Sequence, residues 1–356
     1  MPSAEEAKTR SARATHYDHG DEDRIRSHER RDDHTRGVHG AANQPPAGRS
    51  GKPSARIAKD IFPPSTTQHL TEAGDARQER GVHPRAGGIS RNMEAWVGTS
   101  GWSYGDWRGR VYPAGLPQRG WLPWYATRFP TVELNASFYR LPTPTMVQRW
   151  RAVTPEGFRF AVKMSRFVTH VRRLRDVEAD AERFLGLVRG LGDALGPVLV
   201  QLPPTFPRDD DVLDGFLGRL PTDVRVAIEF RHPSWDVPEV RDRIALAGAA
   251  WVLADRPHAR VTPLVTSDWS YVRFHQGADG SPWYPRAKLR RWAARLARLE
   301  VATLYTYFNN DPEGAAFDNA ATFAALLAAH GVQVRCTPSD PAEVARAVPG
   351  GTTTPR

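Results

Sequence analysis

Charged side chains close several short apolar runs in the part of the chain after residue 92. Glu133, Lys163 and Glu229 are the clearest cases, because each stands at or near the end of a run rich in Val, Phe, Ile or Ala. Burial and neighbouring charges can shift the pKa values of such groups towards neutrality, as acid–base catalysis requires. We therefore predict that Glu133 and Glu229 are a catalytic acid and base.

Two histidines and several polar residues stand close to these positions in the sequence pattern. His170 and His275 are candidate proton shuttles, since the unperturbed pKa of histidine lies near neutrality. Lys163 is a third candidate catalytic residue, as an ion-pair partner, a Schiff-base amine or an anion ligand, and these alternatives stay open here. The candidate substrate-binding residues are Asn135, Gln201, Arg231, Asp255, Arg273, Asn309, Asn310, Trp102, Tyr139 and Trp235.

An anionic small-molecule substrate follows from the position of the arginines and asparagines. Arg273, His275 and the Asn309–Asn310 pair follow the seventh and eighth apolar runs, and barrels often bind phosphate after their last two strands. On this hypothesis Arg273 binds the anion directly. Replacing it with alanine is then expected to weaken binding by a few kcal/mol, because charged donors contribute more than neutral ones.

Metal binding is an open alternative for the same acidic and imidazole groups. Glu133, Glu229, His170, Asp255 and His275 could hold a divalent ion, since carboxylate and imidazole suit several of them. No H-x-x-x-H or H-E-x-x-H spacing supports such a site. The sequence therefore requires no cofactor, predicts no particular metal ligand and leaves a divalent metal open.

A loop dense in aromatic residues and glycine spans 100–113. Its aromatic faces could stack on sugars or bases, with arginine beside them. The equally weighted alternative is a packed cover over one end of the fold. Trp102 belongs to this loop, and we expect Tyr139 and Trp235 to line the same rim.

Eight short β-rich runs must position these groups, at 95–99, 131–135, 159–163, 197–202, 225–231, 250–255, 271–275 and 303–308. Amphipathic helical stretches separate most of them, including 178–191, 238–248 and one after Pro285. This alternation predicts an α/β protein with a parallel sheet, and eight units fit a closed (β/α)8 TIM-type barrel.

Residues two apart on a strand share a face, so Glu133 pairs with Asn135, Glu229 with Arg231, and Arg273 with His275. In a barrel of this type, these groups converge at the carboxyl-terminal mouth, where active sites lie. The alternative is an internal salt-bridge network of the two glutamates with Lys163, Arg231 and Arg273.

Residues 1–92 are rich in Arg, Asp, His, Gly and Pro and lack periodic apolar positions. We predict a disordered extension there, a barrel domain over 93–340 and a flexible tail over 341–356. Met93 directly precedes the first strand, so a true translational start at Met93 is an alternative. The single Cys336 and the absence of a signal or membrane segment predict a cytoplasmic protein with no membrane partner. The net charge of +9 permits an anionic partner, nucleic acid included.

Seven runs together resemble the YecE-like family, a domain of unknown function, from about 96 to 327. They are GTSGWSYGDWRG (98–109), VELNASFYRLP (132–142), KMSRFVTH (163–170), GPVLVQLPP (196–204), AIEFRHPSW (227–235), YVRFHQ (271–276) and YFNND (307–311). His275–Gln276 stands where family members usually show His-Gly. The resemblance implies a TIM-type barrel without implying its chemistry, and an architecture similar to endonuclease IV-like metal-dependent barrels.

Three functional hypotheses follow. The leading one is an enzyme that performs acid–base hydrolysis or lysis on a phosphorylated or polyhydroxylated small molecule. The alternative is a metal-dependent phosphodiesterase or binder acting on nucleic acid, by analogy of fold and with the aromatic loop stacking on bases. The third is a ligand sensor without catalysis.

Overall fold

The computed structural model describes residues 93–256, 264–277 and 281–336. Eight parallel strands lie where the apolar runs predict them: β1 Glu94–Ser100, β2 Thr131–Leu134, β3 Arg159–Lys163, β4 Leu195–Gln201, β5 Val226–Glu229, β6 Ala250–Asp255, β7 Trp269–Phe274 and β8 Thr303–Phe308. The predicted extension over 1–92 and tail over 341–356 lie outside the described residues, and the domain boundaries stay predictions.

The sheet closes on itself through β1, which pairs in parallel with β8 along its length and with β2 at its carboxyl end. The remaining neighbours follow chain order from β2 to β8. Gly98 allows the closure, because a Cβ atom there would stand 2.1 Å from the carbonyl oxygen of Thr131. The predicted (β/α)8 barrel is confirmed.

Eight α-helices of the described residues lie between or after the strands: α1 Trp121–Ala126, α2 Ala136–Tyr139, α3 Pro144–Ala152, α4 Glu178–Val188, α5 Asp210–Leu217, α6 Pro238–Leu246, α7 Arg286–Leu296 and α8 Ala315–Ala329. The sequence explains several starts, since Thr143 caps α3 and Pro238 occupies the first turn of α6. The predicted helix over 178–191 ends at Val188, where a 3-10 turn takes over. Within the described part of the chain, every helix is too short or too polar to cross a membrane.

Two apolar layers hold the barrel together. The larger lies between strands and helices, and the smaller fills the barrel with residues such as Trp96, Ala161, Tyr271 and Tyr307. Because side chains alternate along a strand, interior positions near the carboxyl ends are the ones that meet at the mouth. Polar groups at those positions are therefore brought together by the fold.

A ninth strand, β9 (Gln333–Val334), was not expected from the sequence. It pairs in parallel with Glu94 and Ala95, at the start of β1. The partner β2 reaches only Thr99 and Ser100 along β1. The short β9 therefore pairs with the start of that strand edge, at the end of the barrel opposite the mouth.

Candidate functional site

The carboxyl ends of six strands bring polar side chains into the mouth of the barrel. The register places Ser100 beside Glu133 and Gln201 beside Glu229. Arg273 approaches from β7, and its side chain contacts both glutamates. We call Glu133, Glu229 and Arg273, with the residues that hydrogen-bond to them, the buried charge cluster.

Arg273 is the centre of the buried charge cluster. Its Nε and Nη2 donate to the two carboxylate oxygens of Glu133 at 2.9 and 2.7 Å, and its Nη1 donates to Glu229 Oε2 at 2.8 Å. All three side chains are at most 1% exposed. This corrects the prediction that Arg273 binds an anion directly, because its guanidinium group is paired with two buried carboxylates.

Glu133 has no oxygen left for chemistry. Besides Arg273, the Tyr271 hydroxyl donates to it at 2.7 Å and the Ser100 hydroxyl donates to its other oxygen. Burial by itself would raise the pKa of Glu133, but Arg273 and these donors hold it below its ordinary value. A fully engaged, ionised carboxylate cannot act as a general acid, so the predicted catalytic role of Glu133 is corrected to that of an anchor.

Glu229 has one engaged oxygen and one that faces a histidine. Oε2 accepts from Arg273 and, at 2.9 Å, from the side-chain amide of Gln201. Oε1 has no hydrogen-bond partner among the described residues and lies 3.6 Å from His275 Nε2. Burial opposes ionisation, but Arg273 and His275 hold the pKa of Glu229 well below its usual value. Glu229 is therefore an ionised group that can orient His275.

His275 is 16% exposed and stands between the buried charge cluster and the mouth. Its Nδ1 lies 3.3 Å from the side-chain nitrogen of Asn309. Burial and the charge of Arg273 lower its pKa, against the opposing effect of Glu229, so the ring is neutral at pH 7. Glu229 Oε1 and Arg273 Nη1 lie 3.6 and 3.5 Å from Nε2, and in a neutral imidazole one of the two ring nitrogens carries no proton. His275 can therefore accept a proton.

Three cations and a histidine lie at the opening, and we call Lys163, Arg166, Arg231 and His170 the cationic rim. All four are half-buried. The Lys163 ammonium lies 4.1 Å from the centre of the Phe138 ring. Burial, followed by the charge of Arg273, lowers the pKa of Lys163 to about 8, with Glu133 and Glu229 opposing and Arg231 adding to the shift.

His170 enters the rim on a π-helical turn, Phe167–Val171, that directly follows β3. Its ring meets Phe138 edge-on at 4.9 Å, and its Nδ1 lies 2.9 Å from the Thr169 hydroxyl. Burial and the charges of Lys163, Arg231 and Arg166 lower its pKa to about 4. His170 is therefore a neutral imidazole inside a positive field.

The loop after this π-helical turn has a strained backbone. Arg173, Leu174 and Asp176 have φ angles of 49°, 65° and 49°, a region that residues other than glycine rarely adopt. Leu174 is buried, which helps to hold the conformation. Such strain is concentrated at functional sites, where the surrounding structure maintains it.

Four other predicted residues are placed away from the opening. Trp235 is fully buried and its indole N–H donates to the Phe206 carbonyl, so it does not line the rim. The Asn310 amide donates to the Pro282 carbonyl and to Asn319. These two are corrected to structural residues, because packing and backbone bonds account for their contacts.

Asp255 ends β6 but turns to α7, where Lys288 Nζ lies 2.8 Å from its carboxylate. Trp102 packs edge-on against Trp150 and Phe160, whose side chains belong to the outer apolar layer. These contacts engage both side chains within the protein. Direct contact of either side chain with a substrate stays a prediction.

The aromatic loop is a packed cover over the barrel. Trp107 and Tyr112 are buried, Tyr112 stacks on Trp121 at 4.8 Å, and the Trp107 indole donates to the Asp311 carbonyl. Because these rings pack against each other, they are not available to stack on nucleic-acid bases, and the loop no longer supports the nucleic-acid hypothesis. The packed alternative is the one that the structure bears out.

Two predicted residues stay at the edge of the site. Asn135 is half-buried, donates to the Ser100 hydroxyl at 2.8 Å, and has a side-chain oxygen without a hydrogen-bond partner among the described residues. Tyr139 is half-buried and meets Phe138 edge-on. Both remain candidate substrate-binding residues.

The sequence reasoning missed Ser100, Phe138, Arg166 and Tyr271. Ser100 ends β1, so the same rule that selected the other strand ends would have found it. Tyr271 shares a face with Arg273, two residues away, which is also a readable signal. Phe138 and Arg166 lie in short turns whose side-chain directions follow no simple period.

The groups considered as metal ligands do not converge. In the described ranges, no three of His, Cys, Asp and Glu stand together in a way that would hold an ion. Glu133 and Glu229 face Arg273, and Asp255 faces Lys288. A divalent metal stays an untested prediction.

Comparisons with known proteins agree with this architecture. A family model described as "Protein of unknown function DUF72" matches residues 96–344. The UPF0759 protein YecE of Escherichia coli strain K12 is 34% identical over 141 residues, 39% of this chain and only 49% of YecE. The match thus spans about half the length of YecE. The UPF0759 protein YunF of Bacillus subtilis strain 168 is 27% identical over 268 residues, 65% of this chain and 94% of YunF.

Solved structures show the same relationship. A DUF72 family protein from Thermotoga maritima is 31% identical, with a TM-score of 0.59 over 66% of this chain and 99% of that chain. Another, from Enterococcus faecalis, shares the fold at 22% identity and a TM-score of 0.53, over 66% of this chain and 98% of that chain. The resemblance to the YecE-like family is therefore confirmed, and the chain belongs to the DUF72 family.

Proposed function

We propose that this protein is a cytoplasmic enzyme that performs acid–base hydrolysis or lysis on a phosphorylated small molecule at the mouth of the barrel. The phosphate binds at the cationic rim, and His275 moves the proton. Glu229 orients His275, and the rest of the buried charge cluster holds Glu229. The polyhydroxyl part of a substrate such as a sugar phosphate has Asn135 and Asn309 as candidate hydrogen-bond partners.

The observation that carries this proposal is two half-buried cations without a carboxylate. In the described part of the chain, neither Lys163 nor Arg166 has a carboxylate oxygen within 4.0 Å. Other half-buried cations are paired, for example Lys288 with Asp255 and Arg208 with Asp210. Burying a cation without a counter-charge is costly, so an anion from outside the protein would stabilise the arrangement.

Unsatisfied polar atoms also support a ligand here, because a phosphate oxygen could accept from Arg166 Nε, and the two unsatisfied oxygens could accept from hydroxyl groups of the same substrate. Asn135 Oδ1, Arg166 Nε and Glu229 Oε1 are buried and lack hydrogen-bond partners among the described residues. Such atoms in native proteins require an explanation, and a bound ligand is one of the recognised explanations. All three belong to the buried charge cluster, the cationic rim or their direct neighbours.

Calorimetric titration with sulfate and with inorganic phosphate tests the binding half of the proposal. We expect Lys163→Met and Arg166→Gln to weaken binding about tenfold each, because each removes one charged partner of the anion. Arg290→Met, at an exposed position on α7, is the matched control and should leave binding unchanged. Equal affinities in all four proteins would contradict an anion site at the rim.

A screen of sugar phosphates against wild type and His275→Asn tests the catalytic half. We expect a substrate whose turnover falls at least about a hundredfold in the variant while sulfate binding persists, since general acid–base catalysis contributes about that much. Anion binding that persists without turnover of any compound would instead favour the ligand sensor.

A further inference from the structure

Lys163 differs from the other lysine of the described residues in its surroundings. Lys288 has a carboxylate 2.8 Å away, on Asp255. The Lys163 amine has an aromatic ring 4.1 Å away, on Phe138, and no carboxylate or hydrogen-bond partner within the ranges that the structure describes. The amine at the opening of the barrel therefore has a cation–π contact and, among the described residues, no carboxylate that would fix it as an ammonium ion.

The neighbours of Lys163 favour the uncharged amine. Burial disfavours the charge most, and Arg273 and Arg231 repel the proton. Glu133 and Glu229 oppose these effects from within the buried charge cluster, and the face of the Phe138 ring weakly attracts the cation. The pKa of about 8 that results leaves about one-tenth of the amine neutral at pH 7. A neutral amine is a nucleophile towards carbonyl carbon, whereas an ammonium ion is not.

We propose that Lys163 is a catalytic nucleophile that captures a phosphorylated aldehyde or ketone as a Schiff base. This inference rests on the proposed function, because the phosphate of the substrate would bind at the cationic rim beside the amine. It assigns to the substrate a carbonyl group within reach of Lys163 Nζ. It also favours lysis over hydrolysis as the reaction.

The covalent step needs no oxidant or reductant. The Nζ lone pair forms a bond to the carbonyl carbon, and the carbonyl oxygen takes up the two protons that the amine nitrogen gives up and leaves as water. A carbon–nitrogen double bond thereby replaces the carbon–oxygen one. When the imine is protonated, its positive charge withdraws electrons from the neighbouring carbon and eases cleavage of the bond beyond it. The rim therefore keeps a positive charge for the phosphate after the bond has formed.

The test is reductive trapping on the full chain. The protein is incubated with glyceraldehyde 3-phosphate and sodium cyanoborohydride, which delivers hydride to the imine carbon and leaves a stable secondary amine. The chain has only five lysines, Lys8, Lys52, Lys59, Lys163 and Lys288, so mass spectrometry of a digest assigns each label. We expect Lys163 to be labelled at least about tenfold faster than Lys288, because the carboxylate of Asp255 holds Lys288, whereas Lys163 lies beside the cations that bind the phosphate of the probe.

Three controls make the result specific. Lys163→Arg keeps a positive charge at the rim and should lose the label, because a guanidinium ion is not a nucleophile towards carbonyl carbon. Unphosphorylated glyceraldehyde should label Lys163 several times more slowly, because it lacks the group that the rim binds. Sulfate added in excess should slow labelling by the phosphorylated probe.

Labelling of Lys163 no faster than that of Lys288, or at equal rates with the two aldehydes, would overturn the inference. If sulfate still binds and depends on Lys163 and Arg166, the proposed anion site survives and only the Schiff base fails. If sulfate binding is absent as well, both the site and the Schiff base fail. Urea unfolding of Lys163→Arg shows that loss of the label is not loss of the fold.

Discussion

The buried charge cluster and the cationic rim are neighbours with opposite designs. In the cluster, Arg273 meets two carboxylates, and Tyr271, Ser100 and Gln201 complete most of their hydrogen bonds. In the rim, cations face one another, and Lys163 packs on an aromatic ring. Most polar atoms of the cluster thus find their partners within the protein, whereas on the proposed function the cations of the rim are neutralised by a bound anion.

The largest effect is expected from the removal of Arg273. Arg273→Met leaves two buried carboxylates without their cation, and breaking a buried ion pair on one side costs about 3–5 kcal/mol of the free energy of unfolding. Urea unfolding checks the value, with Arg290→Met as the exposed control. A decrease in the free energy of unfolding below about 1 kcal/mol would show that the buried charge cluster does not have the structural role assigned to it here.

Lowering the pH is the second way to distinguish the buried charge cluster from the cationic rim. The pKa of Glu133 is held below 4.5 and that of Glu229 well below it, so their contribution to stability is present above pH 4.5 and is lost as the pH falls towards the lowered values. Glu133→Gln should cost about 1–3 kcal/mol at neutral pH and flatten this acid dependence.

Unfolding curves recorded from about pH 7 down to about pH 3 test the acid dependence. Glu182→Gln, on an exposed side chain of α4, is the control and should keep the slope of the wild type. An unchanged slope in Glu133→Gln would mean that other carboxylates dominate acid unfolding.

Lys163→Met should have the opposite profile to Arg273→Met. Because the folded protein lowers the pKa of Lys163, the charged form is disfavoured by folding, and its removal should leave the free energy of unfolding unchanged within about 0.5 kcal/mol or slightly raised. Sulfate affinity should nevertheless fall about tenfold. A variant that loses stability and keeps its affinity would reverse the assignment of the two regions.

The smallest effect is the pH dependence of sulfate binding. Lys163 loses its proton as the pH rises through about 8, so the attraction of the rim for sulfate weakens between about pH 7 and pH 9. We expect a decrease of about three- to fivefold in affinity. Lys163→Arg, which keeps its proton throughout, should bind sulfate with a flat profile, and calorimetry at several pH values compares the two.

The barrel could be predicted because alternation and strand composition are local signals. The bounds of β3, β6 and β8 agree with the predicted runs at both ends. β9 escaped prediction because two residues gain their strand conformation only by pairing with Glu94 and Ala95. β5 ends at Glu229, so the alternation that predicts a shared face for Glu229 and Arg231 stops before it reaches Arg231.

The sequence predicted which residues belong to the site better than it predicted which of them contact each other. Strand ends indicated that Glu133, Glu229 and Arg273 converge, but which charges pair depends on register between distant strands. Asn309 and Asn310 show the limit, since adjacent residues lie one beside His275 and the other against Pro282. Side-chain direction after a strand ends is set by the turn, and the type of turn is not encoded in a two-residue period.

The π-helical turn at Phe167–Val171 affects the direction in which the side chains of the rim point. The Arg172 N–H donates to the Phe167 carbonyl at 2.8 Å, so the turn contains one residue more than an α-helical turn would. Deleting one residue would restore α-helical spacing and rotate the residues after the deletion by about 100°. On the proposed function, the number of residues between β3 and α4 is therefore itself a determinant of specificity. A deletion before His170 would turn its imidazole by about that angle, out of its contact with Phe138.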